Sequence, residues 1–157
     1  MLRIFFSFFI IVCSIFSCNN HSKAKNLDAI KEKPAIEELL GVYNADVHTS
    51  RTVNGYTEKI SSFFKLSKDG ILEFSQIPIS TLDFAEYFKN NHEQINGRGQ
   101  WEVDNQSGFI ELNFELNIND STIANTSFTL SRIGKKYAFS CFVGDPNKNV
   151  TATFVQQ

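Results

Sequence analysis

The sequence predicts a mainly β domain: an antiparallel up-and-down barrel or curled sheet of about eight strands, with one helix after the third. Three observations predict it. Short runs alternate apolar and polar residues, most clearly "FIELNFEL" (109–116), where Ile110, Leu112, Phe114 and Leu116 interleave with Glu111, Asn113 and Glu115. That period of two belongs to a strand with one buried and one wet face. Turn residues separate the runs at short intervals, so successive strands are antiparallel neighbours. Only residues 80–91, "STLDFAEYFKNN", place apolar side chains at helical spacing. A flat sheet of eight strands would leave two unpaired edges, and curling it closed removes them.

Taken in order, Pro34 before "AIEELL" opens one or two helical turns, because proline is tolerated at a first helical position. "GVYNADVH" (41–48) is the first strand. "KISSFFKLS" (59–67) and "ILEFSQ" (71–76) flank "KDG", where Gly70 can take the positive φ of a hairpin turn. In the helix, Ser80 and Asp83 have the spacing of a capping box. Its apolar face is Leu82, Ala85 and Phe88, widened by Phe84 and Tyr87, and it should lie on the sheet or close one end of the barrel. "GQWEV" (99–103) comes next, with Gly99, Trp101 and Val103 on its inward face. "DNQSG" turns the chain into 109–116. Strands 122–133 and 136–143 are joined by a tight "GK" turn, and "GDPNKN" leads to the last strand, 150–155.

The N-terminal part is different in kind. Residues 4–16 carry no charge, come after Met1, Leu2 and Arg3, and as a helix would be about 20 Å long. A hydrocarbon core of roughly 30 Å is out of their reach. A positive start, a short apolar stretch and the small Ser17 are the marks of a secretory signal. Residues 19–34, "NNHSKAKNLDAIKEKP", hold almost no apolar side chain and read as a tether. Lys23, Lys25, Lys31 and Lys33 either lie against anionic headgroups, at about 1 kcal/mol each, or are simply solvated. The division is thus 1–17 signal, 18–34 tether and 35–157 one β domain.

Cysteine usage fits that division. Cys13, Cys18 and Cys141 are the whole complement. With Cys13 in the signal and Cys18 at the head of the tether, Cys141 is the one cysteine of the β domain, which must be held by its own core. The chain has 15 basic and 17 acidic residues, a net charge of −2, which offers nucleic acid no electrostatic footprint.

Ile15, Phe16, Ser17 and Cys18 stand where bacterial lipoprotein signals carry their lipobox, and the N-terminus resembles that class. The resemblance implies thioether lipidation of Cys18, cleavage before it, and membrane attachment through it. Because neither Asp nor an acidic run comes after Cys18, it implies the bacterial cell envelope, at the outer membrane facing the periplasm. The alternative is an ordinary secretory signal cut nearby, with Cys18 a bystander. Further on, "ELLGVY", "GQWEV" and "GDPNKNVTATF" together resemble small lipocalin-like domains of bacterial lipoproteins. That likeness implies the barrel and no reaction.

The residues point away from catalysis. His21, His48 and His92 have no carboxylate or cysteine at ligand spacing. No serine elbow is present, and "GRG" (97–99) lacks the strand-to-helix context of a phosphate loop. Cys141 alternates with Tyr137, Phe139 and Val143 as a core residue would. No catalytic residue, metal site or cofactor is predicted. The candidate contacts are Trp101, on the inner face, and Gly144, Asp145 and Pro146, in a loop at the barrel mouth whose residues read first as turn chemistry and second as a ligand or partner contact.

Three functions remain open. A non-enzymatic binding protein could meet another protein through loops and outer strands, a carrier could hold a small apolar molecule or lipid inside the barrel, or a hydrolase could use groups no motif reveals. An eight-stranded interior is only just wide enough for side chains to fill it. With 16 phenylalanines in the chain, the expectation is a plugged interior and a protein partner.

Overall fold

The computed structural model describes residues 27–106, 108–118 and 122–157. The signal, Cys18 and most of the expected tether lie outside the described residues. Nine strands are present: β1 (Asp28–Ala29), β2 (Gly41–Ala45), β3 (Phe63–Leu66), β4 (Ile71–Pro78), β5 (Gln94–Gln106), β6 (Phe109–Ile118), β7 (Thr122–Ile133), β8 (Lys136–Phe142) and β9 (Thr151–Gln156). From β2 to β9 each strand pairs antiparallel with the next, and β9 pairs back onto β2 through Tyr43↔Gln156, Asn44↔Val155 and Ala45↔Phe154. The result is a closed eight-stranded up-and-down barrel of the lipocalin-like kind.

The long β7 binds two neighbours along one length. Its first part pairs with β6 as far as Thr129↔Glu111, and its last part pairs with β8 from Thr129↔Ser140 to Ile133↔Lys136. On the β6 side, where β6 has ended, β1 takes over with Asp28↔Arg132 and Ala29↔Ser131. Residues 28–34, expected to belong to the tether, are therefore strapped to the barrel wall; Lys33 Nζ also donates to the Val103 carbonyl at 2.8 Å.

The two ends of the barrel differ. At one, the turn end, the β3–β4, β5–β6 and β7–β8 connections are short. Helix α1 (Ile36–Leu39) closes this end with the fully buried Leu39, whose carbonyl accepts the Tyr43 hydroxyl at 2.8 Å. At the other, the helix end, lie α2 (Val47–Thr52), α3 (Ile79–Leu82), α4 (Phe84–Phe88) and the loop 143–150. The alternation predicted for 109–116 is kept, with Ile110, Leu112, Phe114 and Leu116 buried.

Four local expectations are corrected. The first strand stops at Ala45, not residue 48, because the Asp46 side chain accepts the Thr49 amide at 2.7 Å and caps α2 over Val47 and His48. The second begins at Phe63, not 59. The fourth runs 94–106 instead of 99–103: at Gly99, a Cβ would overlap the Glu115 carbonyl, so β5 crowds β6 there and continues on both sides. The single helix of 80–91 is two short ones. Asp83, at φ −126 and ψ 116, is extended and cannot continue α3; its carboxylate caps α4 by accepting the Ala85 amide at 2.7 Å.

Candidate functional site

The barrel's middle is solid with aromatic rings. Phe64 on β3 lies 4.8 Å from Phe154, 5.3 Å from Phe114, and 5.6 Å from both Phe128 and Phe139, centroid to centroid. Tyr43 joins through Phe139 at 4.8 Å. Such spacings are those of rings in mutual contact, and all six side chains are fully buried. The expected plugged interior is the one these inward positions build.

Trp101 also points inward, as its strand pattern predicts, and is 6% exposed. Its indole Nε1 donates to the Ser67 carbonyl at 3.0 Å, and its backbone amide to the Gly70 carbonyl at 2.8 Å. Both bonds tie β5 to the β3–β4 turn, so Trp101 is engaged in closing the turn end.

Gly144, Asp145 and Pro146 lie at the helix end. Gly144 has φ +71, and a Cβ there would overlap the Tyr87 ring, so α4 sits directly on this glycine. Asp145 accepts the Asn147 amide at 2.9 Å and caps a short 3-10 turn, Pro146–Lys148. The loop's residues are thus turn-forming, and its glycine is the seat of a helix.

That seating aims aromatic surface outward. Tyr87 is held between α4 and the loop, while Phe84 (58% exposed) and Phe88 (64%) stand edge to face at 4.7 Å. Phe142, 58% exposed, ends β8 two residues before Gly144. The helical spacing of 80–91 places Phe84 and Phe88 on a buried face, and the structure corrects this. The signal in the sequence is Asp83, three residues before Glu86, which marks a second helix start and rotates the side chains beyond it.

Elsewhere the surface is mixed, with Leu27, Ile36, Val47, Ile71 and Phe109 also exposed. A trough of about 590 Å³ runs over the outer wall of β5, β6 and β7, lined by Gln100, Glu102, Asn113, Glu115, Asn125 and Ser127 among others. Ser127 Oγ donates to Asn113 Oδ1 at 2.7 Å. At the seam between β1 and β6, a smaller apolar niche of about 130 Å³ is lined by Leu27, Ile30, Phe109 and Leu130 among others.

Two groups that resemble reactive ones are engaged in the fold. Ser80 Oγ lies 2.9 Å from His92 Nδ1, and His92 Nε2 lies 2.9 Å from Asn90 Oδ1. At 2% exposure the serine lies on the buried face of α3, so this chain of bonds ties α3 to the segment leading into β5. Cys141 is half-buried as a residue, and desolvation of its sulfur pushes the thiol up to about 12. No cluster among the described residues could hold a metal, and no described helix is long and apolar enough to cross a membrane. No protein-family model, curated protein or solved structure matches the chain.

Proposed function

We propose that this chain is a lipid-anchored, non-enzymatic binding protein of the bacterial envelope, attached through Cys18 and contacting another protein through its loops and outer surface. The observation that carries the reading is the ring-filled interior. A carrier needs a pocket of roughly 300 Å³ or more, and the space where it would lie is taken by Phe64, Phe114, Phe128, Phe139 and Phe154. Whatever the barrel offers a partner is on its outside. The lipobox residues Ile15 to Cys18 support the anchor.

Two measurements test the two halves. Cys18→Ser should move the protein from the detergent-extracted membrane fraction to the soluble fraction and abolish fatty-acid labelling, since stable anchoring rests on acyl chains at about 0.8 kcal/mol per buried methylene. Unchanged retention and labelling would remove the anchor. Titration with palmitate should leave Trp101 emission without saturable change. Saturable micromolar quenching would put the ligand inside and restore the carrier.

A further inference from the structure

We propose that residues 28–34 are a detachable strap: they open from the barrel wall about a hinge at Pro34 and Ala35 while the eight-stranded barrel stays folded, and so give the anchored protein two reaches. The change of reach rests on the anchored reading; the opening itself does not.

The wall has a gap that this segment fills. β5 and β6 stay paired down to Gln106↔Phe109, but β6 pairs with β7 no further than Glu111↔Thr129. Phe109 and Ile110 therefore diverge from the end of β7, and β1 stands in the wedge, opposite Ser131 and Arg132. Ile30, next in the chain, packs on the core, while Asp28, Ala29, Lys31, Glu32 and Lys33 are all exposed.

That seat is lightly held. Two residue pairs join it to β7, and one exposed bond runs from Lys33 Nζ to the Val103 carbonyl. The apolar niche of about 130 Å³ lies unfilled beside it, between Ile30, Phe109 and Leu130. Side chains lining a void lose packing contacts, and short exposed pairings are the first parts of a fold to open.

Beyond Pro34 the chain is held firmly. Leu39 is fully buried, the Glu38 carboxylate accepts the Tyr137 hydroxyl at 2.9 Å, and Gln156 Nε2 donates to the Glu38 and Leu40 carbonyls at 3.0 and 3.1 Å. Closure of the barrel, by β9 on β2, uses no strap residue, and none of the buried core side chains belongs to the strap. The step from a weak hold to a strong one sets the hinge.

Opening changes distance. Ten residues lead from Cys18 to Asp28, and seventeen lead from it to Ala35. Fully extended they span about 35 Å and about 60 Å. A barrel held through Cys18 can thus stand farther from the bilayer with the strap released than with it seated.

Trypsin tests the opening on the full chain, because a seated strap cannot enter a protease cleft. Cleavage after Lys31 should proceed at a rate flat in urea well below the unfolding midpoint, and residues 32–157 should survive with the melting midpoint of the intact protein. Ile30→Asp should speed that cut about tenfold. A cut after Lys31 that appears only in step with cuts at Lys65 and Lys136, or that Ile30→Asp leaves unchanged, would overturn the proposal. So would an Ile30→Asp protein or a 32–157 product that no longer folds, since the strap would then be part of the barrel. The reach is tested with lipidated protein on vesicles of phosphatidylethanolamine and phosphatidylglycerol. Trp101, the chain's one tryptophan, should transfer less energy to dansyl-labelled headgroups in Ile30→Asp than in wild type, and equal transfer would sink the two reaches. Failure of the anchored reading shows separately, as wild-type protein absent from the membrane fraction, and leaves the trypsin result standing.

Discussion

Gly144 is where a single hydrogen atom decides the geometry of the helix end. A methyl group there meets the Tyr87 ring, and φ +71 is unfavourable for any residue with a Cβ. Gly144→Ala should cost about 2–3 kcal/mol and lower the melting temperature by about 5–10 °C in a calorimetric scan. Burial makes other residues sensitive to alkali. The Cys141 thiol keeps its proton in the fold up to about 12 but releases it near 9.0 when unfolded. Desolvation likewise raises Tyr43 and Tyr56 well above 10.0. In this range the unfolded chain binds fewer protons than the native one, so stability is full below pH 9 and falls as pH rises. The slope is about 1.4 kcal/mol per pH unit for each titrating group. Urea unfolding should show about 2 kcal/mol lost between pH 8 and pH 10, the larger part from Cys141, and Cys141→Ala should flatten that first part. The steeper decline above pH 10, from the tyrosines, should remain.

Among the elements, α4 depends most on one side chain. Asp83 accepts two amides of its first turn, from Ala85 at 2.7 Å and Glu86 at 3.4 Å. Asp83→Ala should cost about 1 kcal/mol and speed hydrogen exchange at those two amides while leaving the β6 amides unchanged. Protection equal to wild type would mean that packing on Gly144 alone holds the helix. The strands are legible in the sequence because period-two alternation records which side faces the core, and 109–116 and 122–133 lie where that pattern puts them. Their ends are harder, since caps such as Asp46 compete locally with strand extension. The aromatic end misleads for a related reason: Ser80 and Asp83 look like one capping pair, whereas the Ser80 hydroxyl bonds His92, twelve residues away in the chain. A tertiary partner of that kind leaves no mark in a local pattern. Trp101 is legible as inward-facing, but its bond to Ser67 comes from the barrel's curvature and not from its own strand.

At the scale of the molecule, no disulfide is available to the described fold, whose one cysteine, Cys141, is free. A chain beginning at Lys23 should give a β-dominated far-UV circular dichroism spectrum with a small helical part, identical with and without reductant. A mainly helical spectrum, or loss of signal on reduction, would contradict the barrel. Closure has a further consequence, for the time at which this protein becomes itself. The wall is completed when Thr151–Gln156 slots between β8 and β2, joining the first barrel strand to one made more than a hundred residues later. Until then β2 and β8 each expose a bare ladder of amides and carbonyls, which are templates for wrong pairing. Contacts so distant in sequence form slowly, over milliseconds to seconds. A nascent chain therefore keeps two unpaired edges, on β2 and on β8, until β9 is made.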